Sequence, residues 1–230
     1  MMQGVYKHPR LLVLVTFVLC CNLLGTLAHA RSDSETVTQP HQQTKLPQPW
    51  YTHQQNDWGW IQYRDNPITG FVEIKAQLML NADLASVRHL LTDKKAVLTW
   101  VEGVKRIVVL ETSENKRVQL TILDPIWPVQ AREMLTTNIL IESADQFSLT
   151  VQDNNQYLKL NPARIRVKQI DVQWQVQQTN DNRVVIDYLG YFQPGGSLPV
   201  WLSNEIFLVL ISKSLNNLKA VSEQQGGNAE

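Results

Sequence analysis

Residues 50–222 of this 230-residue chain are predicted to fold as one α+β domain, a large curved antiparallel sheet wrapped around a long C-terminal helix. Three observations predict it. Apolar and polar residues alternate in runs joined by short polar turns. In Phe71 to Leu80, for example, Val72, Ile74, Ala76, Leu78 and Leu80 share one side and Glu73, Lys75 and Gln77 the other, the period of a half-buried strand. From Val200 to about Ala220 the apolar spacing turns helical, and at 1.5 Å per residue that helix is about 30 Å long, enough to cross a sheet. Finally, no internal repeat and no second linker interrupts the stretch.

The N-terminus has a different character. Lys7 and Arg10 precede an apolar run over residues 11–24, and Ala28-His29-Ala30 follows. A basic start, an apolar middle and a small-residue site predict a secretory signal over residues 1–30, cleaved before Arg31. The apolar run is shorter than the roughly 20 residues that span a bilayer. Cys20 and Cys21 are the only cysteines, so the exported chain is expected to have no disulfide and no thiol chemistry. It keeps 19 basic side chains against 21 acidic ones, with no basic cluster, which leaves a nucleic-acid partner without an electrostatic basis. The expected location is the periplasm. Residues 31–49 are polar, contain three prolines and have only Val37 and Leu46 as aliphatics; they are expected to form a flexible leader.

Within the folded part, Trp58 to Tyr63 reads as a short strand, with a turn at Asp65-Asn66-Pro67 before the strand that ends at Leu80. Asp83 to Leu91 reads as a helix capped by Asn81 or Asp83. Val104–Thr112 and Arg117–Leu123 flank one turn, and Glu133–Glu142 and Gln146–Gln152 another. Ala163–Gln178 and Arg183–Phe192 complete the strands, and Pro194-Gly195-Gly196-Ser197-Leu198-Pro199 forms a rigid turn before the last helix. Hairpin-linked strands of this kind make an antiparallel sheet with one apolar and one polar face. The first half of the long helix is expected to be almost wholly buried, and residues 223–230 to fray into a tail.

Three stretches resemble the START family, the lipid-transfer domains related to the steroidogenic acute regulatory protein. They are Leu98-Thr99-Trp100-Val101-Glu102, Asp124-Pro125-Ile126-Trp127-Pro128-Val129-Gln130-Ala131-Arg132-Glu133, and Tyr188 to Leu202 running into Ser203 and Asn204. The resemblance covers residues 50–222 and implies a helix-grip fold, an internal tunnel for one lipid or sterol, and a C-terminal helix acting as a lid. It implies no catalysis. Glu133 stands where the family has aspartate. Some members place a cavity arginine six residues beyond the first arginine of their Arg-Asp pair; that position is Asn138 here, which implies a less charged cavity floor.

Candidate cavity and lid residues are Trp127, Arg132, Asn138, Trp174, Tyr188, Tyr191, Leu202, Ile206, Phe207 and Leu210, with Gly195 and Gly196 as a hinge. For several a structural role competes. Trp127 with Pro128 packs a loop as readily as it frames a mouth, and Arg132 with Glu133 can form an ion pair at a strand start. Strand parity offers Tyr188 and Tyr191 inward or outward, and Trp174 shares the phase of Val172 and Val176. His41, His53 and His89 are the only histidines beyond the signal, and no metal-ligand cluster, hydrolase motif or phosphate loop occurs. No cofactor is expected. The expected function is non-catalytic binding and transfer of a lipid or other apolar small molecule, with transient contact to a membrane surface. The alternatives are an envelope interaction module and a cyclase-like or isomerase-like enzyme.

Overall fold

Ten strands and three helices build the residues described by the computed structural model, 48–125, 130–181 and 183–226. In chain order they are β1 (Tyr51–Asn56), β2 (Gly59–Asp65), β3 (Val72–Leu80), α1 (Leu84–Thr92), α2 (Lys94–Trp100), β4 (Val104–Thr112), β5 (Lys116–Leu123), β6 (Arg132–Glu142), β7 (Gln146–Asp153), β8 (Ile165–Arg166), β9 (Gln169–Gln178), β10 (Val184–Gln193) and α3 (Val200–Gly226). The sheet runs β1-β2-β3-β10-β9-β7-β6-β5-β4, with β8 beside β6. All pairs are antiparallel except β6 with β8. The chain leaves β3, crosses through α1 and α2 to the far edge at β4, and returns hairpin by hairpin until β10 pairs with β3. This is the expected α+β architecture of a curved antiparallel sheet and a long C-terminal helix.

Pairing keeps facing residues on one side of a sheet, so the register defines the inner face. One row runs Ala76, Tyr188, Trp174, Leu149, Leu140 across five strands. The neighbouring inner positions of β3, β9 and β10, among them Ile74, Leu78, Val172, Val176 and Ile186, are buried, while Asp187, Gln173 and Gln175 between them are exposed. The hairpin turns close as their sequences require: Ser113 N–H donates to Lys116 C=O (2.8 Å) and Ser143 N–H to Gln146 C=O (2.9 Å).

Asp83 caps α1, accepting from the Ser86 amide (2.8 Å) and hydroxyl (2.7 Å). Asp93 then ends α1 and caps α2, accepting from the amides of Lys95 and Ala96. The sequence reading stops the early helix at Leu91 and has no α2, because Lys94–Trp100 is only seven residues long and shows no full amphipathic repeat. It also has no β1, whose residues are mostly exposed; an edge strand without a buried face carries no period-two signal. The single run Ala163–Gln178 is in fact two strands, since β8 pairs in parallel with β6 before β9 begins.

The long helix departs from expectation in where it is buried. Leu215 and Leu218, in its second half, are wholly inaccessible. In the first half Leu202, Ile206, Phe207, Leu210 and Ile211 keep partial exposure, and Val200, Trp201 and Val209 are exposed. The apolar pattern of a helix is the same over a packed core and over a hollow, so the sequence does not distinguish them. The helix also runs to Gly226, past the expected start of the tail. The predicted signal and residues 31–47 of the leader lie outside the described residues.

The Ser86 hydroxyl and amide hold the Asp83 carboxyl below the ordinary carboxylate value. A folded-state pKa below the unfolded one adds stability above the unfolded value and loses it as pH falls through the folded value. Asn also caps helices well but does not titrate. The unfolding free energy of the native chain minus that of Asp83→Asn, measured in urea, is expected to shrink as pH falls below about 4 and to stay constant above about 6.

Candidate functional site

Between the first half of α3 and the sheet lies a cavity of about 200 Å³. Ile206, Phe207, Leu210 and Ile211 of α3 face Val72, Met134 and Phe192 of the sheet across it, with Val101 and Val104 at one side. Phe192 and Phe207 meet edge to face at 4.6 Å between centroids. Whole small-molecule sites usually enclose about 300–1,000 Å³; this volume holds about seven waters at roughly 30 Å³ each. The volume is below that range.

Arg132, the first residue of β6, supplies the buried charge. Its side chain turns to the cavity side and is 6% exposed. It donates from Nε to Pro194 C=O (3.2 Å), from Nη1 to Gln130 C=O (2.9 Å) and from Nη2 to Gly195 C=O (3.4 Å). Burial lowers its pKa, because a cation loses hydration without gaining an anion. Glu133 is not its partner. Adjacent strand residues point to opposite faces, and Glu133 lies on the outer side, 1% exposed, where Arg166 donates twice to Oε1 (2.6 and 3.0 Å) and Arg164 approaches Oε2 at 3.5 Å. The expected Arg132–Glu133 ion pair is therefore replaced by one between Glu133 and β8.

Gly195 and Gly196 have φ of +68° and +72°, the left-handed region in which glycine is not penalised. A side chain on Gly195 would meet Arg166 C=O at 2.7 Å and one on Gly196 the Ile165 side chain at 2.8 Å. The turn is thus packed onto β8 and held by Arg132. Beyond it, Asn204 in the first turns of α3 donates to Gly70 C=O (3.0 Å) and accepts from the Val72 amide (3.1 Å).

The structure brings together Arg132, Ile206, Phe207 and Leu210, with the two glycines at one end. Trp174 and Tyr188 are elsewhere, in solid core: Trp100 meets Trp174 at 6.0 Å and Trp174 meets Tyr188 at 4.6 Å, both edge to face, and burial raises the Tyr188 pKa. Tyr191, three residues on, falls on the opposite face, where its hydroxyl bonds Thr69 Oγ1 (2.8 Å) and accepts from Gln193 Nε2 (2.9 Å). Asn138 faces inward but lines a separate, more polar hollow of about 190 Å³ near α1 and α2, accepting from the Thr136 hydroxyl at 3.0 Å. Leu202 is half-buried and is not part of the wall. Trp127 lies outside the described residues. Sequence reasoning misses Met134 and Phe192, although each keeps the phase of a candidate residue on its own strand, Arg132 and Tyr188. It also misses Ser203, which lines the cavity and whose buried hydroxyl has no hydrogen-bond partner among the described residues. A serine in an apolar helix carries no sequence signal for that. Among the described residues no group of three or more His, Cys, Asp or Glu is placed to hold a metal ion.

The fold is that of the START helix-grip domains. The STAR-related lipid transfer protein of Xanthomonas axonopodis superimposes with a TM-score of 0.67 at 21% identity, covering 74% of this chain and 97% of that one. Human StAR-related lipid transfer protein 5 gives 0.68 at 12% identity, covering 76% and 86%. By sequence, an uncharacterised protein of Pseudomonas aeruginosa is 22% identical over 147 residues, 64% of this chain and 73% of that protein. No family model matches the chain.

Gly190 gives the aromatic core a direct test. A Cβ there would lie 2.0 Å from the Tyr188 hydroxyl, and that ring is wedged against Trp174. Gly190→Ala is expected to cost about 1–3 kcal/mol by overpacking. Combined with Tyr188→Leu, it should cost clearly less than the sum of the two single changes, as read by chemical denaturation.

Proposed function

We propose that this protein binds a hydrophobic small molecule beneath α3 and carries it between membrane surfaces in the periplasm. The observation that carries the reading is the cavity itself, walled by aliphatic and aromatic side chains from both α3 and the sheet. Its likeness in fold to proteins named for lipid transfer supports the same reading. Burying an apolar chain there contributes about 0.8 kcal/mol per CH₂, and α3 serves as the movable wall. The periplasmic location draws its support from the signal-like pattern of residues 1–30.

Membrane contact fits the exposed apolar side chains beside the cavity. Ile68 is 91% and Trp201 68% exposed. They sit on the β2–β3 loop and the start of α3, which Asn204 ties together through Gly70. Exposed large apolar groups on two tied segments that also supply cavity-wall residues fit an interaction surface, and tryptophan suits the boundary between water and lipid. A catalytic reading would draw on a tyrosine close to a carboxylate in the cavity. The Tyr157 hydroxyl does bond Glu111 at 2.9 Å, but both residues are exposed and outside the cavity wall.

Native mass spectrometry of protein purified from its own envelope, with organic extraction, is expected to show one bound lipid class. Leu210→Trp, which fills the cavity, should abolish uptake of that lipid while shifting Tm by only a few degrees. A folded native protein that arrives empty and takes up no offered lipid overturns the reading. Trp201→Ala is expected to slow transfer between vesicles several-fold without changing affinity for a soluble short-chain ligand.

A further inference from the structure

We infer that the ligand of this cavity is an anionic amphiphile, whose carboxylate or phosphate head is held by Arg132 and Ser203 while its apolar chain runs under α3. The inference rests on the carrier reading above and specifies its substrate class.

Arg132 is an arginine buried beside an apolar cavity with no carboxylate in ion-pair reach among the described residues. Residues 126–129, just upstream, include no acid. Its three carbonyl partners occupy three of the five N–H groups of a guanidinium, and the other two have no partner among the described residues. A desolvated charge that only neutral groups satisfy costs stability, and an oxyanion offsets that cost with charge-assisted bonds. Ser203 is the independent second observation: the residue lines the same cavity and is 7% exposed, and its buried hydroxyl has no hydrogen-bond partner among the described residues. Ser203 is in the first turn of α3, where the helix dipole favours negative charge, and Arg132 holds the turn that leads into that helix.

Two acidic residues also line the cavity, and neither neutralises Arg132. Glu102 has a side chain 41% exposed and lies 3.9 Å from Lys213. Asp124 is exposed. The buried charge facing the apolar space is positive, and the acids stand at its wet rim.

The test compares chain-matched probes on the full chain, below their micelle concentrations: dodecanoate, dodecyl phosphate and dodecanol, with inorganic phosphate as the chain-free anion. Dodecanoate and dodecyl phosphate are expected to bind at least tenfold more tightly than dodecanol, about 1.4 kcal/mol. Inorganic phosphate should fail to displace either. Arg132→Gln should bring the three chain-bearing probes to similar affinity, and Ser203→Ala should narrow the preference in the same direction. Because Arg132 also holds the turn before α3, a second readout uses the unaltered protein. The carboxyl of bound carbon-13-labelled dodecanoate, followed by NMR, should titrate below its free value, since a guanidinium lowers a carboxyl pKa whereas apolar burial raises it. Equal binding of dodecanol and dodecanoate, a raised carboxyl pKa, or a preference that survives in Arg132→Gln overturns the inference and leaves the carrier reading standing. Inorganic phosphate binding as tightly as dodecyl phosphate overturns the amphiphile assignment. Binding of none of the chain-bearing probes overturns both.

Discussion

Trp100, Trp174 and Tyr188 pack edge to face where α2 meets β9 and β10, and this stack decides which part of the interior is solid. Trp100 is fixed further by its indole N–H, which donates to Leu90 C=O at 2.8 Å in a buried site, so the end of α2 cannot slide on α1. Tyr188 finds room because Gly190, its inner-face neighbour on β10, has no side chain. With the middle of the sheet filled by three large rings, the second half of α3 closes on a packed surface through Leu215 and Leu218. The first half closes on Val72, Met134 and Phe192, which leave the space beneath it unfilled, and the cavity lies there. The three stacked rings fill the other end of the interior.

The period of two along β6 gives neighbouring residues opposite tasks. Glu133 faces outward and binds β8 through Arg166; at 1% and 10% side-chain exposure these are buried charges, and losing either partner of such a pair typically costs about 3–5 kcal/mol. Arg132 faces inward and holds the carbonyls of Pro194 and Gly195. β8 in turn is the surface against which the two left-handed glycines pack. The start of α3 is therefore positioned from both sides of the sheet by two consecutive residues. A single charged dipeptide in the sequence turns out to be two separate anchors for one turn.

That outcome also shows what was legible beforehand. The alternation in β3, β9 and β10 revealed their inner faces, and the helical spacing after Pro199 revealed α3, because each signal is local and repeats over many residues. The resemblance in Tyr188 to Leu202 pointed to the fold the structure has. The division of the candidate site was not legible. Trp174 and Leu210 carry the same apolar signal, yet one is packed between rings and the other faces a cavity, since that difference depends on what lies across the interior. Tyr191 and Tyr188 could have been separated by parity once the register was known. That the Ser203 hydroxyl has no partner among the described residues has no local signature at all.

The anchors along α3 are unequal in strength, and this determines which half of the helix lifts more readily. The second half is held by Leu215 and Leu218, each worth about 1.5–3 kcal/mol when fully buried, and by the Asn217 side chain donating to Trp100 C=O at 3.3 Å. Ser214, near the middle, accepts from the Glu102 amide at 2.9 Å. The first half is held at its start by the two Asn204 hydrogen bonds, each worth roughly 0.5–1.5 kcal/mol net, and of its apolar residues Leu208 alone is buried. Lifting the first half therefore costs less than lifting the second, and the exposed Trp201 and Ile68 stand at the end that lifts. The weaker end of α3, the buried Arg132 guanidinium and the exposed Trp201 coincide, so the cavity is least costly to open beside that charge.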